Sequence, residues 1–74
     1  MMPKIRPVLE SFVDRTPGSF IEDKNYSLAW HYRNTDPDFG QKRASELNTV
    51  LTSLIANDDL CVFNGNKVME IKNS

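Results

Sequence analysis

Cysteine is scarce in this chain of 74 residues. Cys61 stands alone, so neither an internal disulfide nor a thiol-rich metal cage can form. That usage fits a reducing, cytoplasmic compartment. Histidine is as scarce, and a single His31 excludes a histidine-based metal cluster. Only three glycines occur, Gly18, Gly40 and Gly65. Each reads as a turn or helix-start residue, and none belongs to a phosphate-cradling loop. Charge of one sign is lacking too, with nine Lys or Arg against ten Asp or Glu and a net charge of −1. The basic residues are scattered along the chain, so nucleic acid is a poor default partner. No apolar run is long enough to span a membrane, and Met1 to Pro7 lacks the apolar stretch of a secretory signal.

What is present is an ordinary globular balance, 39% hydrophobic and 26% charged, which argues against disorder. The length allows one small domain with one core. A domain of this size buries only about 60% of its unfolded surface.

Ile5, Val8, Leu9, Phe12 and Val13 repeat at helical spacing, and Pro7 can occupy the first turn. Thr16-Pro17-Gly18 ends this helix. Two strand-like runs follow, Ser19–Lys24 and Ser27–Arg33, with Asn25 as the turn residue. A tight hairpin through Lys24-Asn25 pairs Ile21 with Leu28 and Glu22 with Ser27. Ile21, Leu28 and Trp30 then share one face, and Phe20, Glu22, Ala29 and His31 the other.

Asp36-Pro37 opens a second helix, as N-cap and first helical residue. Its stripe is Ala44, Leu47, Leu51, Leu54 and Ile55, with Val50 beside it. Leu60–Phe63 and Lys67–Ile71 flank Asn64-Gly65-Asn66, a strong hairpin signal. The expected fold is α+β, a two-layer αββαββ arrangement. It has a four-stranded antiparallel sheet with two helices on one face, a permuted ferredoxin-like plait with the second and fourth strands central.

That arrangement leaves one sheet face open. It carries Glu22, Lys24, His31, Arg33 and Glu70 beside Phe20, Phe63 and Val68, a mixture suited to covering something. No reaction centre accompanies it. Ser27 and His31 lie too far apart along one strand to be nucleophile and base. Cys61 sits in an apolar strand without clustered cations. Asp36 is explained by capping, and Asp58-Asp59 reads as a turn. Glu22 and Glu70 could in principle make a carboxylate pair, but nothing in the sequence activates one of them.

The wording of three stretches is distinctive. Arg15–Lys24 (RTPGSFIEDK), Ser27–Arg33 (SLAWHYR) and Gly65–Glu70 (GNKVME) resemble, in this order, the cap region of trehalose-6-phosphate phosphatases, with Asp36–Gly40 continuing the match. The resemblance runs from about Arg6 to Lys72, and the first two stretches are most similar to proteins joining a trehalose-6-phosphate synthase to the phosphatase. It implies a single cap subdomain, residues 1–74, inserted into a haloacid-dehalogenase-like core that lies outside this chain. That core carries the aspartate nucleophile and Mg²⁺. The fragment itself then has no cofactor and no catalysis. The partner implied is trehalose 6-phosphate, gripped by the cap together with the core through Glu22, Lys24, Lys67 and Glu70. Paired carboxylates and ammonium groups suit a polyol, because one set accepts and the other donates.

His31 and Arg33 are further candidates, either for sugar or phosphate or as bridges to the second helix or the core; bridging is the favoured expectation. Trp30 is expected in the core, since it shares a face with Leu28 and Ile21. The rival reading is a free-standing α+β module whose open face binds a protein.

Overall fold

The structure is a computed structural model, described over residues 2–74. Helix α1 spans Ile5–Asp14 and buries Ile5, Leu9 and Phe12, the stripe its spacing predicts. Its first turn is closed by the amides of Ile5 and Arg6, which donate to the Met2 carbonyl. At its end the chain turns through Thr16–Ser19, where the Ser19 hydroxyl donates to the buried Thr16 carbonyl at 2.7 Å.

Helix α2 spans Pro37–Leu54 and is capped as expected. The Asp36 carboxylate accepts from the Phe39 amide at 3.0 Å, and Pro37 fills the first position. Replacing Asp36 by Ala should cost about 1 kcal/mol. A thermal melt should then show a fall of roughly 4–8 °C. Ala44, Leu47, Leu51 and Ile55 are buried, whereas Val50 is 41% exposed and belongs to the solvent side.

Four strands complete the fold: β1 (Phe20–Asp23), β2 (Ser27–His31), β3 (Leu60–Gly65) and β4 (Val68–Asn73). They form one antiparallel sheet in the order β1-β2-β4-β3, with β2 and β4 central. Leu28 and Trp30 of β2 face Ile71 and Met69 of β4, and all four join both helices in one core. The architecture is the expected α+β, two-layer αββαββ form.

Two details of register differ from the sequence reading. Ile21 pairs with Trp30 and Glu22 with Ala29, so the first hairpin is shifted by two residues. Its turn is Asn25-Tyr26, closed by the Lys24 amide on the Ser27 carbonyl. Asn25 takes a φ of 71°, and the Asp23 carboxylate accepts from its amide at 2.8 Å. Asparagine tolerates that left-handed backbone, so the turn centres there. In the second hairpin Gly65 pairs with Val68, and the turn is Asn66-Lys67 with Lys67 at φ 64°. A two-residue shift preserves the alternation of side chains, so both faces keep their expected members. Among the described residues no helix is long and apolar enough to cross a membrane.

Candidate functional site

Glu22 on β1, Ala29 on β2 and Glu70 on β4 lie in one row across the face turned away from the helices. At about 4.8 Å between strands, the outer two backbones are about 10 Å apart. Ala29 is fully buried between them and gives the row a low floor.

Each carboxylate is held by a neighbour. His31 Nε2 lies 2.8 Å from Glu22 Oε1. The carboxylate can only accept, so that nitrogen carries the proton. The imidazole also stacks on Phe20, with ring centroids 4.8 Å apart and planes 13° apart. Glu70 Oε2 accepts a 2.6 Å hydrogen bond from the Ser27 hydroxyl, and Lys24 Nζ is 3.5 Å from the same oxygen. The Ser27 bond, helped by the charges of Lys24 and Lys72, holds the Glu70 carboxyl below its ordinary value, against the opposing effect of burial.

The structure therefore brings Lys24 and Glu70 together, and separately Glu22 and His31. Lys67 and Arg33 sit at the other end of the sheet, Lys67 on the β3–β4 turn and Arg33 just after β2. The Arg33 guanidinium donates to the Asn66 carbonyl at 3.2 Å. The Tyr32 amide donates to the Lys67 carbonyl at 3.0 Å, and Lys67 Nζ lies 6.0 Å from the Tyr32 ring centre. A lysine at φ 64° is disfavoured where glycine would fit without strain, and such positions cluster at functional sites.

Bridging to the second helix by His31 and Arg33 is not what the structure has. Among the described residues their hydrogen bonds go to Glu22 and Asn66 instead. The first contact lies within the β1–β2 hairpin, and the second joins the segment after β2 to the β3–β4 turn. Trp30 is fully buried on the helix side, as expected of a core residue. Ser27 is the one addition to the sequence-predicted set. It is 6% exposed and contacts Glu70 across the β2–β4 ladder rather than anything along its own strand.

The rest of the face is partly apolar. Phe20 and Phe63 are 46% and 47% exposed, and Lys72 Nζ sits 4.6 Å from the Phe63 ring centre. Two clefts, of about 230 and 390 Å³, lie beside Met2 at the sheet's end. Neither is lined by Glu22, Lys24, Lys67 or Glu70. Among the described residues no group of three or more His, Cys, Asp or Glu side chains is placed to hold a metal ion. The face thus offers fixed acceptors and ammonium donors on an open surface, a combination that suits a polyhydroxy ligand.

Comparison with known proteins points the same way. The family model described as trehalose-phosphatase matches residues 1–74. A trehalose-phosphatase from Zygosaccharomyces rouxii is 45% identical over 69 residues, 93% of this chain and 8% of that protein. An alpha,alpha-trehalose-phosphate synthase (UDP-forming) B from Dictyostelium discoideum is 46% identical over 65 residues, 88% of this chain and again 8% of the relative. The chain thus spans under a tenth of the length of these curated relatives. Among solved structures, the C-terminal domain of the C. albicans trehalose-6-phosphate phosphatase superposes with a TM-score of 0.91 at 34% identity. That superposition covers 95% of this chain and 25% of the other. The Aspergillus fumigatus trehalose-6-phosphate phosphatase gives the same TM-score at 35% identity, over 95% of this chain and 26% of the other. The chain belongs to the trehalose-phosphatase family.

Proposed function

We propose that this chain is the substrate-recognition cap of a trehalose-6-phosphate phosphatase, and that catalysis belongs to a core outside it. The observation that carries this reading is the row Glu22–Ala29–Glu70, flanked by Lys24, on the sheet face that both helices leave uncovered. Such a face is half of a cleft. Closed over a core, it would desolvate its charges and the sugar hydroxyls together, which strengthens each contact. Lys67 would reach the ligand from the β3–β4 turn, and His31 and Arg33 would steady the two ends of the face. The Mg²⁺ that phosphoryl transfer calls for would be held by the core, and the whole protein would work in the cytoplasm. Relatives named as synthases, and one from Thermoproteus tenax named as a bifunctional trehalose-6-phosphate synthase/phosphatase, support a parent with both activities.

The test uses the full-length phosphatase with Glu70→Gln, which removes the charge and keeps the shape. Its kcat/KM for trehalose 6-phosphate, divided by that for phenyl phosphate, should fall about ten- to a hundredfold, the loss of one desolvated charged contact. Equal losses on both substrates would show that Glu70 serves folding or the core rather than the sugar.

A further inference from the structure

Glu70 has two carboxylate oxygens, and the protein uses them unequally. Oε2 takes both the Ser27 hydroxyl at 2.6 Å and the Lys24 ammonium at 3.5 Å. Among the described residues no donor meets Oε1. Ser27 reaches Glu70 diagonally, because its own partner on β4 is Lys72. It is nearly inaccessible to solvent, on a central strand whose backbone is fixed on both sides.

From this geometry we infer that Ser27 is a positioning residue, which pins one oxygen of Glu70 to the sheet and presents the other to the ligand. A free glutamate side chain has three rotatable bonds, the last of them broad. Fixing its tip to a rigid strand lowers the ordering cost of binding. Hydroxyl-to-carboxylate bonds are short and strong, and this one has the expected length. It also favours the ionised form, which accepts only. A Glu70 so held selects ligands that donate, such as sugar hydroxyls. Glu22 follows the same plan, with His31 on one oxygen.

The inference rests on the cap reading for its ligand, so its test separates the two. Ser27→Ala, Ser27→Thr and Glu70→Gln are compared in the full-length phosphatase on trehalose 6-phosphate. Ser27→Ala should raise KM about fivefold, as expected for one lost hydrogen bond, and leave kcat close to unchanged. Ser27→Thr keeps the hydroxyl on a strand that favours β-branched residues, and should restore KM. The acid limb of kcat/KM should also move to higher pH in Ser27→Ala. The carboxylate is the binding form, and without its donor it is protonated sooner as pH falls. Carbon-13 titration of the Glu70 carboxyl in this 74-residue chain should show the same displacement towards the ordinary glutamate range. A Glu70→Gln effect with Ser27→Ala silent in KM and titration overturns the inference alone. Silence of Glu70→Gln overturns the cap reading and the inference with it.

Discussion

Gly18→Ala should remove a large share of the stability of this fold. Gly18 has a φ of 95°, where a side chain is strained. A β-carbon there would lie 2.3 Å from the Asn34 carbonyl oxygen and 2.8 Å from its carbon. Both are backbone atoms, so no rotamer change relieves the contact. The backbone cost alone is about 1–2 kcal/mol. With the clash added, the loss should reach at least about 3 kcal/mol. A domain of this length holds roughly 4–11 kcal/mol in all. Circular dichroism should therefore show Tm falling by at least about 12 °C. A fall under 5 °C would mean that the Thr16–Ser19 turn moves away from Asn34 cheaply. The consequence reaches the site, because this turn feeds β1, which carries Glu22. The conspicuous TPG at the end of α1 is thus explained by packing before any role in binding.

The faces of the sheet were legible in the sequence and its register was not, for one physical reason. Side chains alternate with a period of two, so Ile21, Leu28 and Trp30 fall together under any shift of two residues. The turn chooses among those shifts, and here it was set by Asn25 and Lys67 adopting left-handed backbone. Lys67 gives no sequence signal for that conformation. The Asn-Gly pair does signal one, yet it lies a residue or two before the turn itself. Of the candidate site, the placing of Lys24 and Glu70 on one face was legible, and their ion pair came from the β2–β4 register. Ser27 did not emerge, since the sequence reading set it against Glu22 across the first hairpin and His31 along its own strand. Its real partner lies 43 positions away, diagonally across a ladder that pattern reading does not specify. His31 was legible as an open-face residue, but its contact with Glu22 depends on the same missing register.

The second large effect is expected at Trp30, an aromatic residue for which the proposed sugar recognition would ordinarily invite a stacking role. Its burial decides otherwise. The side chain is fully enclosed, stacks on Tyr32 with centroids 4.9 Å apart, and lies between Ile21 and Met69 in the sheet. Trp30→Ala should cost about 3–5 kcal/mol, through lost burial and the cavity left behind. That is a quarter or more of the roughly 4–11 kcal/mol such a domain holds. Trp30→Phe should cost much less, because the indole N–H has no partner among the described residues and its removal orphans nothing. The pair gives a sharp contrast when unfolding and sugar affinity are measured together. A core tryptophan predicts that Trp30→Ala unfolds in mild urea, while Trp30→Phe keeps the proposed sugar binding at temperatures where it is folded. A stacking platform predicts the reverse, a well-folded Trp30→Ala with weakened sugar binding. That outcome would move the functional face to the helix side of the sheet and remove Glu22 and Glu70 from the site. The first outcome leaves the open face as the only side of the sheet free to meet a ligand, because both helices cover the other.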